Sequence, residues 1–460
     1  MFLADVPGRR SRSGRDPCRT RARNVNECTI TLVSNVRWLT DFTVTAGFLL
    51  GCSAVTSFPE LGSPSAPWTT TATVWRALLA LAVVFVMLAT TGWTAVRSHK
   101  ASGDARAASL SAWMHGSIAG RALPDPAAAP GTLARFFGTL TGAQRDLLAA
   151  RYPLVVGNLN GAPIDLRYRA NRIALDEARR VEKHRMRESD LTPVGRRDAE
   201  RRMHRFESLL EDGRQILAFD PTGAGRVAEV TGDLERAERV SVVVPGVDTN
   251  VLTFERTQRA YSAPVGMARS LYAAERKASP GTRTAVIAWA DYTTPAGVGM
   301  DAATGKLAAE GALRLRALVR ALPGAAPVSL FCHSYGSVVC GVAVRDMSPR
   351  VTDVAVAGSP GMRADRVSEL HTSARIWAMR DTDDWIQGVP HLEVGGLGHG
   401  ADPVSAGFGA RLLSADGAQG HAGYFAPGTT SLANFAGIGV GLPSAVTCAK
   451  ASSGCADDLA

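Results

Sequence analysis

Apolar residues follow three different spacings along the chain, and each spacing predicts a different kind of element. The first is continuous. Residues 77–96 run without a charged side chain. Twenty helical residues rise ~30 Å, the thickness of a bilayer's hydrocarbon core. Trp75 and Trp93 stand near the two ends of the run, where amphipathic rings prefer the interface. The run predicts a transmembrane helix. Residues 42–58 form a weaker apolar stretch, diluted by Thr and Ser, that would make a second span. Residues 38–100 therefore read as a membrane anchor.

The second spacing is helical. Ala170, Ile173, Ala174, Ala178 and Val181 fall on one face of a helix. Ala199, Met203, Phe206 and Leu210 continue a second helix, with Thr192 placed as its N-cap and Pro193 at its first position. Residues 165–214 hold 14 Arg or Lys and 11 Asp or Glu. That near balance describes a solvated helical hairpin and not a nucleic-acid patch. The helical segment is expected over 132–214. The small, Pro-rich residues 101–131 before it read as a linker.

The third spacing is a series of short apolar runs. Residues 215–219 and 226–230 flank Asp220-Pro221-Thr222-Gly223 and predict a hairpin. Strands are then expected at 240–244, 285–289, 328–331, 354–357 and 374–379. Helices are expected between them, over most of 250–277 and over 304–322 and 337–346. The last strand is expected at 411–413 and the last helix at 430–438. Strands that are apolar on both faces and separated by helices imply a parallel sheet covered on both sides. An antiparallel start feeding such a sheet is the α/β-hydrolase layout. That domain is expected over 215–447, with 448–460 as a tail.

Composition narrows the classes. A chain with 46% hydrophobic and 20% charged residues is not globally disordered. Its 46 Gly and 24 Pro lack the triplet period of collagen. The net charge of +9 is concentrated at the start. Residues 1–37 carry Arg9, Arg10, Arg12, Arg15, Arg19, Arg21 and Arg23, and read as a basic disordered arm. No aromatic residues interleave with these arginines and no zinc or helix-turn-helix pattern follows, so no nucleic-acid partner is expected. Arg97, Lys100 and Arg106 follow the apolar run, whereas Arg76 alone precedes it closely. The positive-inside rule then places the bulk of the chain on the cytoplasmic side. Cys448 and Cys455 pull against this, because two cysteines seven apart could pair outside the cell. The other five cysteines show no metal-binding spacing and no Gly-rich phosphate loop is present, so neither metal nor cofactor is expected.

One strand–turn–helix carries chemistry. In Cys332-His333-Ser334-Tyr335-Gly336-Ser337 the serine stands at the turn after an apolar run. A nucleophile elbow, usually written G-x-S-x-G, needs small residues two places to either side of the serine. Cys332 replaces the first Gly. In this fold the acid and then the histidine follow the serine along the chain. The acid should come just after the 374–379 strand, where Asp381, Asp383 and Asp384 lie. Asp384 is favoured because in Asp384-Trp385-Ile386 the carboxylate is followed by an apolar residue that can return the chain to the core. The histidine should fall between the last strand and the last helix, which selects His421 over His399. An oxyanion hole needs two amides. Tyr335 would supply one, and Val247, in the Pro245-Gly246-Val247-Asp248-Thr249 loop, the other.

These residues, together with Phe136-Phe137-Gly138, the stretch 152–163, Ala170-Asn171-Arg172, 288–292 and 421–435, resemble the actinobacterial α/β-hydrolases catalogued as a domain of unknown function. The resemblance covers roughly 130–445. It implies a helical segment, an α/β-hydrolase fold, and Ser334, Asp384 and His421 as a triad. It implies no substrate. The expected activity is that of a membrane-anchored serine hydrolase on a small-molecule or lipid-like ester, through an acyl-enzyme. The alternatives are an inactive fold used as a binding module and an acyltransferase.

Overall fold

The computed structural model describes residues 105–450 together with Cys455 and Ala456. The basic arm and both apolar runs, 42–58 and 77–96, lie outside the described residues. Among the described residues no helix is long and apolar enough to cross a membrane.

The chain first builds a helical layer. Its elements are α1 (Ala105–Met114), a small hairpin β1 (Ser117–Ile118) and β2 (Arg121–Ala122), α2 (Pro130–Gly138), α3 (Gly142–Arg151), α4 (Pro153–Val156), α5 (Ile164–Arg185) and α6 (Pro193–Leu209). The expected linker at 101–131 is therefore partly a folded segment. Trp113 is fully buried among Phe137, Leu148 and Tyr152, and its indole N–H donates to the Pro124 carbonyl at 2.7 Å. A single large aromatic can anchor a stretch whose small residues otherwise look unstructured. In the hairpin of α5 and α6, Thr192 caps as expected, accepting from the Gly195 amide at 3.1 Å.

The second part is one eight-stranded sheet. Its strands are β3 (Gln215–Asp220), β4 (Arg226–Gly232), β5 (Arg239–Val244), β6 (Thr284–Ala290), β7 (Val328–His333), β8 (Val351–Ala357) and β9 (Arg375–Met379). A small hairpin, β10 (Glu393–Val394) and β11 (Leu397–Gly398), stands apart, and β12 (Arg411–Leu412) ends the sheet. The order is β12-β9-β8-β7-β5-β6-β4-β3. β3, β4 and β6 pair antiparallel, and every other neighbour pairs parallel. The helices are α7 (Pro264–Ala278), α8 (Met300–Ala303), α9 (Lys306–Ala321), α10 (Gly336–Val344) and α11 (Thr430–Gly439). Side chains alternate across the sheet. Val242, Val244, Leu330 and Cys332 pack with α9 and α10 on one face. Val243 and Phe331 pack with α7 and α11 on the other.

Two expectations need correction. Residues 250–259 are turns and not helix, and regular helix begins only at Pro264. Asn250 Oδ1 draws the Leu252 and Thr253 amides into a local turn at 2.9 and 3.3 Å, which competes with helix. The segment 448–460 is not a free tail throughout. Ala449 N–H donates to the Leu412 carbonyl, and Cys455, bonded to Cys448, is buried in the core.

The edge strand β3 explains two stretches of the helical layer. Asn158 both donates to the Phe219 carbonyl and accepts from the Phe219 amide, at 2.8 and 3.1 Å. Asn171 donates to the Ile216 carbonyl at 2.9 Å. Both side chains occupy backbone groups that an open sheet edge would otherwise expose.

Glu275 of α7 is fully buried and accepts from the Ser241 hydroxyl, while its Oε2 has no hydrogen-bond partner among the described residues. Burial pushes its pKa up to about 7. The folded state then holds this proton more tightly than the unfolded chain does. Stability should fall as pH rises from the ordinary carboxylate range to about 7, and level off above it. Glu275→Gln should therefore gain stability relative to wild type with rising pH, by up to about 3 kcal/mol. Urea unfolding at pH 5, 7 and 8 measures this, and a difference that does not change with pH would refute the assignment.

Candidate active site

The turn after β7 sets the geometry. Ser334 has φ 56°, in the left-handed region that non-glycine residues rarely enter. Its amide donates to the Ala357 carbonyl at the end of β8, at 3.0 Å. A Cβ on Gly336 would lie 2.2 Å from the Val244 carbonyl oxygen, so only Gly lets α10 start this close to β5. A Cβ on Gly246 would lie 2.5 Å from Ser334 Cβ and 3.1 Å from Tyr335 N. The Gly246-Val247 peptide is thus pressed against the serine.

On the other side of the turn, Cys332 forms a disulfide with Cys340 of α10. The replacement of the elbow's first Gly is a cross-link between the strand and the helix that hold the serine. Sequence spacing gave no sign of this pair, because both cysteines look like ordinary core residues.

The three residues expected to act together do meet. His421 Nε2 lies 2.8 Å from Ser334 Oγ, and His421 Nδ1 lies 2.8 and 3.0 Å from the two oxygens of Asp384. A carboxylate only accepts, so Nδ1 carries the proton and Nε2 is left to accept from the serine hydroxyl. Asp384 is fully buried. Burial alone would raise its pKa, but hydrogen bonds from His421, the Tyr424 hydroxyl and the Ile386 amide outweigh it and hold the carboxyl below its ordinary value. The other two acids do different things. Asp381 Oδ2 accepts from the Gly420 amide at 2.7 Å and so fixes the turn Gly420–Ala422 that carries His421. Asp383 is exposed. His399 does not reach the serine. Its Nε2 donates to the Ala302 carbonyl at 2.6 Å and its ring packs edge-on against Tyr335.

Three further side chains were not singled out from sequence. Tyr424, fully buried, donates to Asp384 Oδ2 at 2.5 Å and accepts from the Asp381 amide at 3.0 Å. His333 Nε2 donates to the His421 carbonyl at 2.6 Å, and the two rings lie 4.8 Å apart. Burial pushes His333 down to about 3, so it stays neutral beside His421. The exposed ring of Trp385 lies 4.8 Å from the His421 ring, at the mouth of the site. Their neighbours in sequence hint at position, but nothing in the linear order pairs Tyr424 with Asp384.

Val247 and Tyr335 were expected to supply an oxyanion hole; Gly246, next to Val247, packs against Ser334 and the Tyr335 amide. Among the described residues neither amide donates to a backbone carbonyl. The loop carrying Val247 is braced from both ends. Tyr292 OH donates to the Pro245 carbonyl at 2.6 Å, Asp248 N–H donates to the Pro295 carbonyl at 2.9 Å, and Asp248 Oδ1 accepts from Gly297 N–H at 2.8 Å. Among the described residues no group of three His, Cys, Asp or Glu side chains is placed to hold a metal ion.

Two expected outcomes test this geometry. Cys332→Ala with Cys340→Ala frees a loop with a sequence separation of 8, and should cost roughly 2–3 kcal/mol of stability on chain-entropy grounds. Denaturant unfolding of wild type with and without reductant, beside the double variant, measures it, and equal midpoints in all three would show that the cross-link is not there. Tyr424→Phe removes the donor to Asp384 and should raise the pKa of that carboxyl. A titration of His421 and Asp384 by NMR reads this directly, and an unchanged Asp384 titration would contradict the contact.

A sequence profile of the alpha/beta hydrolase family matches residues 220–394, a span that includes Ser334 and Asp384 and ends before His421. An uncharacterized protein of Mycobacterium tuberculosis is 26% identical over 377 residues, covering 69% of this chain and 57% of that protein. An uncharacterized protein of Mycobacterium bovis is 32% identical over 165 residues, covering 35% of this chain and 58% of its own. The chain thus spans under three fifths of the curated relatives it matches. Among solved structures, an α/β serine hydrolase without lid from Xanthomonas campestris aligns at 15% identity and a TM-score of 0.26, over 38% of this chain and 74% of that one. With this sheet order, this serine turn and the match over 220–394, the described chain has an α/β-hydrolase fold and resembles the alpha/beta hydrolase family.

Proposed function

We propose that the chain is a membrane-anchored serine hydrolase that cleaves carboxylic esters through an acyl-enzyme. The observation that carries the reading is the continuous line of contacts from Ser334 Oγ through His421 to buried Asp384. Ser334 Oγ attacks the ester carbonyl carbon while His421 Nε2 takes its proton. Asp384 keeps Nδ1 protonated and stabilises the imidazolium. The Val247 and Tyr335 amides receive the negative charge that develops on the carbonyl oxygen. As the C–O bond breaks, His421 returns the proton to the leaving alcohol. Water then attacks the acyl-enzyme by the same route in reverse, releasing the acid and restoring Ser334. Esters are preferred over amides here by analogy with the fold. The anchor is the uncharged run 77–96.

The cysteines bear on the compartment. Cys332–Cys340 and Cys448–Cys455 are both paired, and structural disulfides persist in oxidising compartments. This favours an extracytoplasmic catalytic domain, against the cytoplasmic side expected from the charges around the run. The cysteines weigh more, because each pair sits within folded structure, whereas the charge bias rests on a few residues.

The tests are direct. A fluorophosphonate probe should label the wild type and fail to label Ser334→Ala. Asp384→Asn should lower kcat by about 10³–10⁴, and Asp383→Asn should stay within about twofold, as surface changes do. Failure of the folded wild type to react with the probe would mean that the fold serves as a binding module instead.

A further inference from the structure

We infer that two loops at the serine edge of the sheet form an apolar landing surface, and that the ester is taken from a lipid–water interface and not from bulk solution. This rests on the hydrolase reading above and adds to it the physical state of the substrate.

Residues 292–300, from just past Asp291 to the first residue of α8, contain no charged side chain. Residues 385–398, from just past Asp384 to the end of β11, contain one carboxylate, Glu393, which is paired with Arg363 at 2.7 Å. At the chain's charge content of 20%, loops of this combined length would carry about four or five charges. Their large apolar side chains point outward instead. Val298 and Met300 are 75% and 65% exposed, and Trp385, Leu392, Val394 and Leu397 are 51%, 51%, 69% and 46% exposed. These are six of the thirteen exposed large hydrophobics among the described residues.

The two loops are joined. Thr304 and Leu397 form an antiparallel bridge, and Arg363, which holds Glu393, also donates to the Gly398 carbonyl at 2.9 Å. Trp385 carries the surface to the reacting groups through its contact with His421. Contiguous exposed apolar surface of this kind marks an interaction site.

The path of the chain identifies the occupant. Arg106, near the start of α1, contacts Asp220 at 3.4 Å. Asp220 ends β3 and faces Arg226, which begins β4, next to the end of β6. The described chain therefore starts at the same edge of the sheet as Ser334. Only residues 97–104 separate Ala105 from the uncharged run 77–96, and eight residues reach at most roughly 28 Å. A bilayer holding the run proposed above as the anchor would be within that reach of the edge that carries the apolar loops. The side chains are of the kinds that insert at a membrane interface, Trp, Leu, Val and Met.

The full chain and its Val298→Asp/Val394→Asp variant should be compared on two substrates. One is a short water-soluble nitrophenyl ester, and the other a long-chain glyceride ester carried in phosphatidylcholine vesicles. Both proteins keep the same N-terminal residues, so any difference between them reports the loops. The variant should hydrolyse the vesicle-borne ester at least ~10-fold more slowly, while its fluorophosphonate labelling at Ser334 matches wild type. The milder Val298→Ser/Val394→Ser should lose about threefold on vesicles, and covers the case in which the charged variant does not fold. A wild type that cleaves the soluble ester but not the vesicle-borne one, or variants that match wild type on both, would overturn the landing surface and leave the hydrolase reading standing. A wild type that cleaves neither and is not labelled would overturn both.

Discussion

The left-handed turn at Ser334 is the constraint from which the rest of the site follows. A non-glycine residue in that region costs on the order of 1–3 kcal/mol, and persists only where neighbours over-determine it. Here the neighbours can be named. The serine amide is tied to β8 through Ala357, Gly336 lets α10 begin against the Val244 carbonyl, and the Cys332–Cys340 bond joins the strand before the turn to the helix after it. The same crowding presses the Gly246-Val247 peptide onto the serine. The strained turn and the amide pair beside it are thus one packing arrangement.

The histidine is positioned by indirect means. It sits on a short turn that has little packing of its own. Asp381 holds the Gly420 amide, His333 holds the His421 carbonyl, and Asp384 holds the ring. Tyr424 joins Asp384 to the Asp381 amide and so links the acid to the turn that presents the base. The neutral state of His333 matters for electrostatics, because a second cation 4.8 Å from His421 would oppose the imidazolium that the proposed reaction forms.

Charge is distributed unevenly around the sheet. The helical layer carries dense, nearly balanced ion pairs, including the buried pair of Arg202 with Glu182. The stretches 292–300 and 385–398 carry one Asp, Glu, Lys or Arg between them, Glu393. In water an uncharged loop with exposed Val, Met and Leu is a liability for solubility.

Sequence pattern by itself determined the layers. Short apolar runs that are hydrophobic on both faces can only be central strands of a covered sheet, so the sheet, its flanking helices and the serine turn were legible from spacing. Chain order then narrowed the acid to Asp381, Asp383 and Asp384 and favoured His421, because in this topology each lies after a particular strand. Other features needed coordinates. Asp381, Asp383 and Asp384 are chemically alike in a row, and only the fold points one at His421, one at the Gly420 amide and one to solvent. Cys332 and Cys340 are eight apart on a strand and a helix, and only the sharp turn between them brings the sulfurs together. Trp385 packs on the His421 ring while Tyr424, 39 residues further on, bonds the Asp384 that holds that ring. The stretch 250–259 also misled the pattern, since its side-chain-to-backbone turns leave no periodic trace. Periodicity reports which face of an element is buried, whereas register, turn geometry and convergence of side chains are set by tertiary packing.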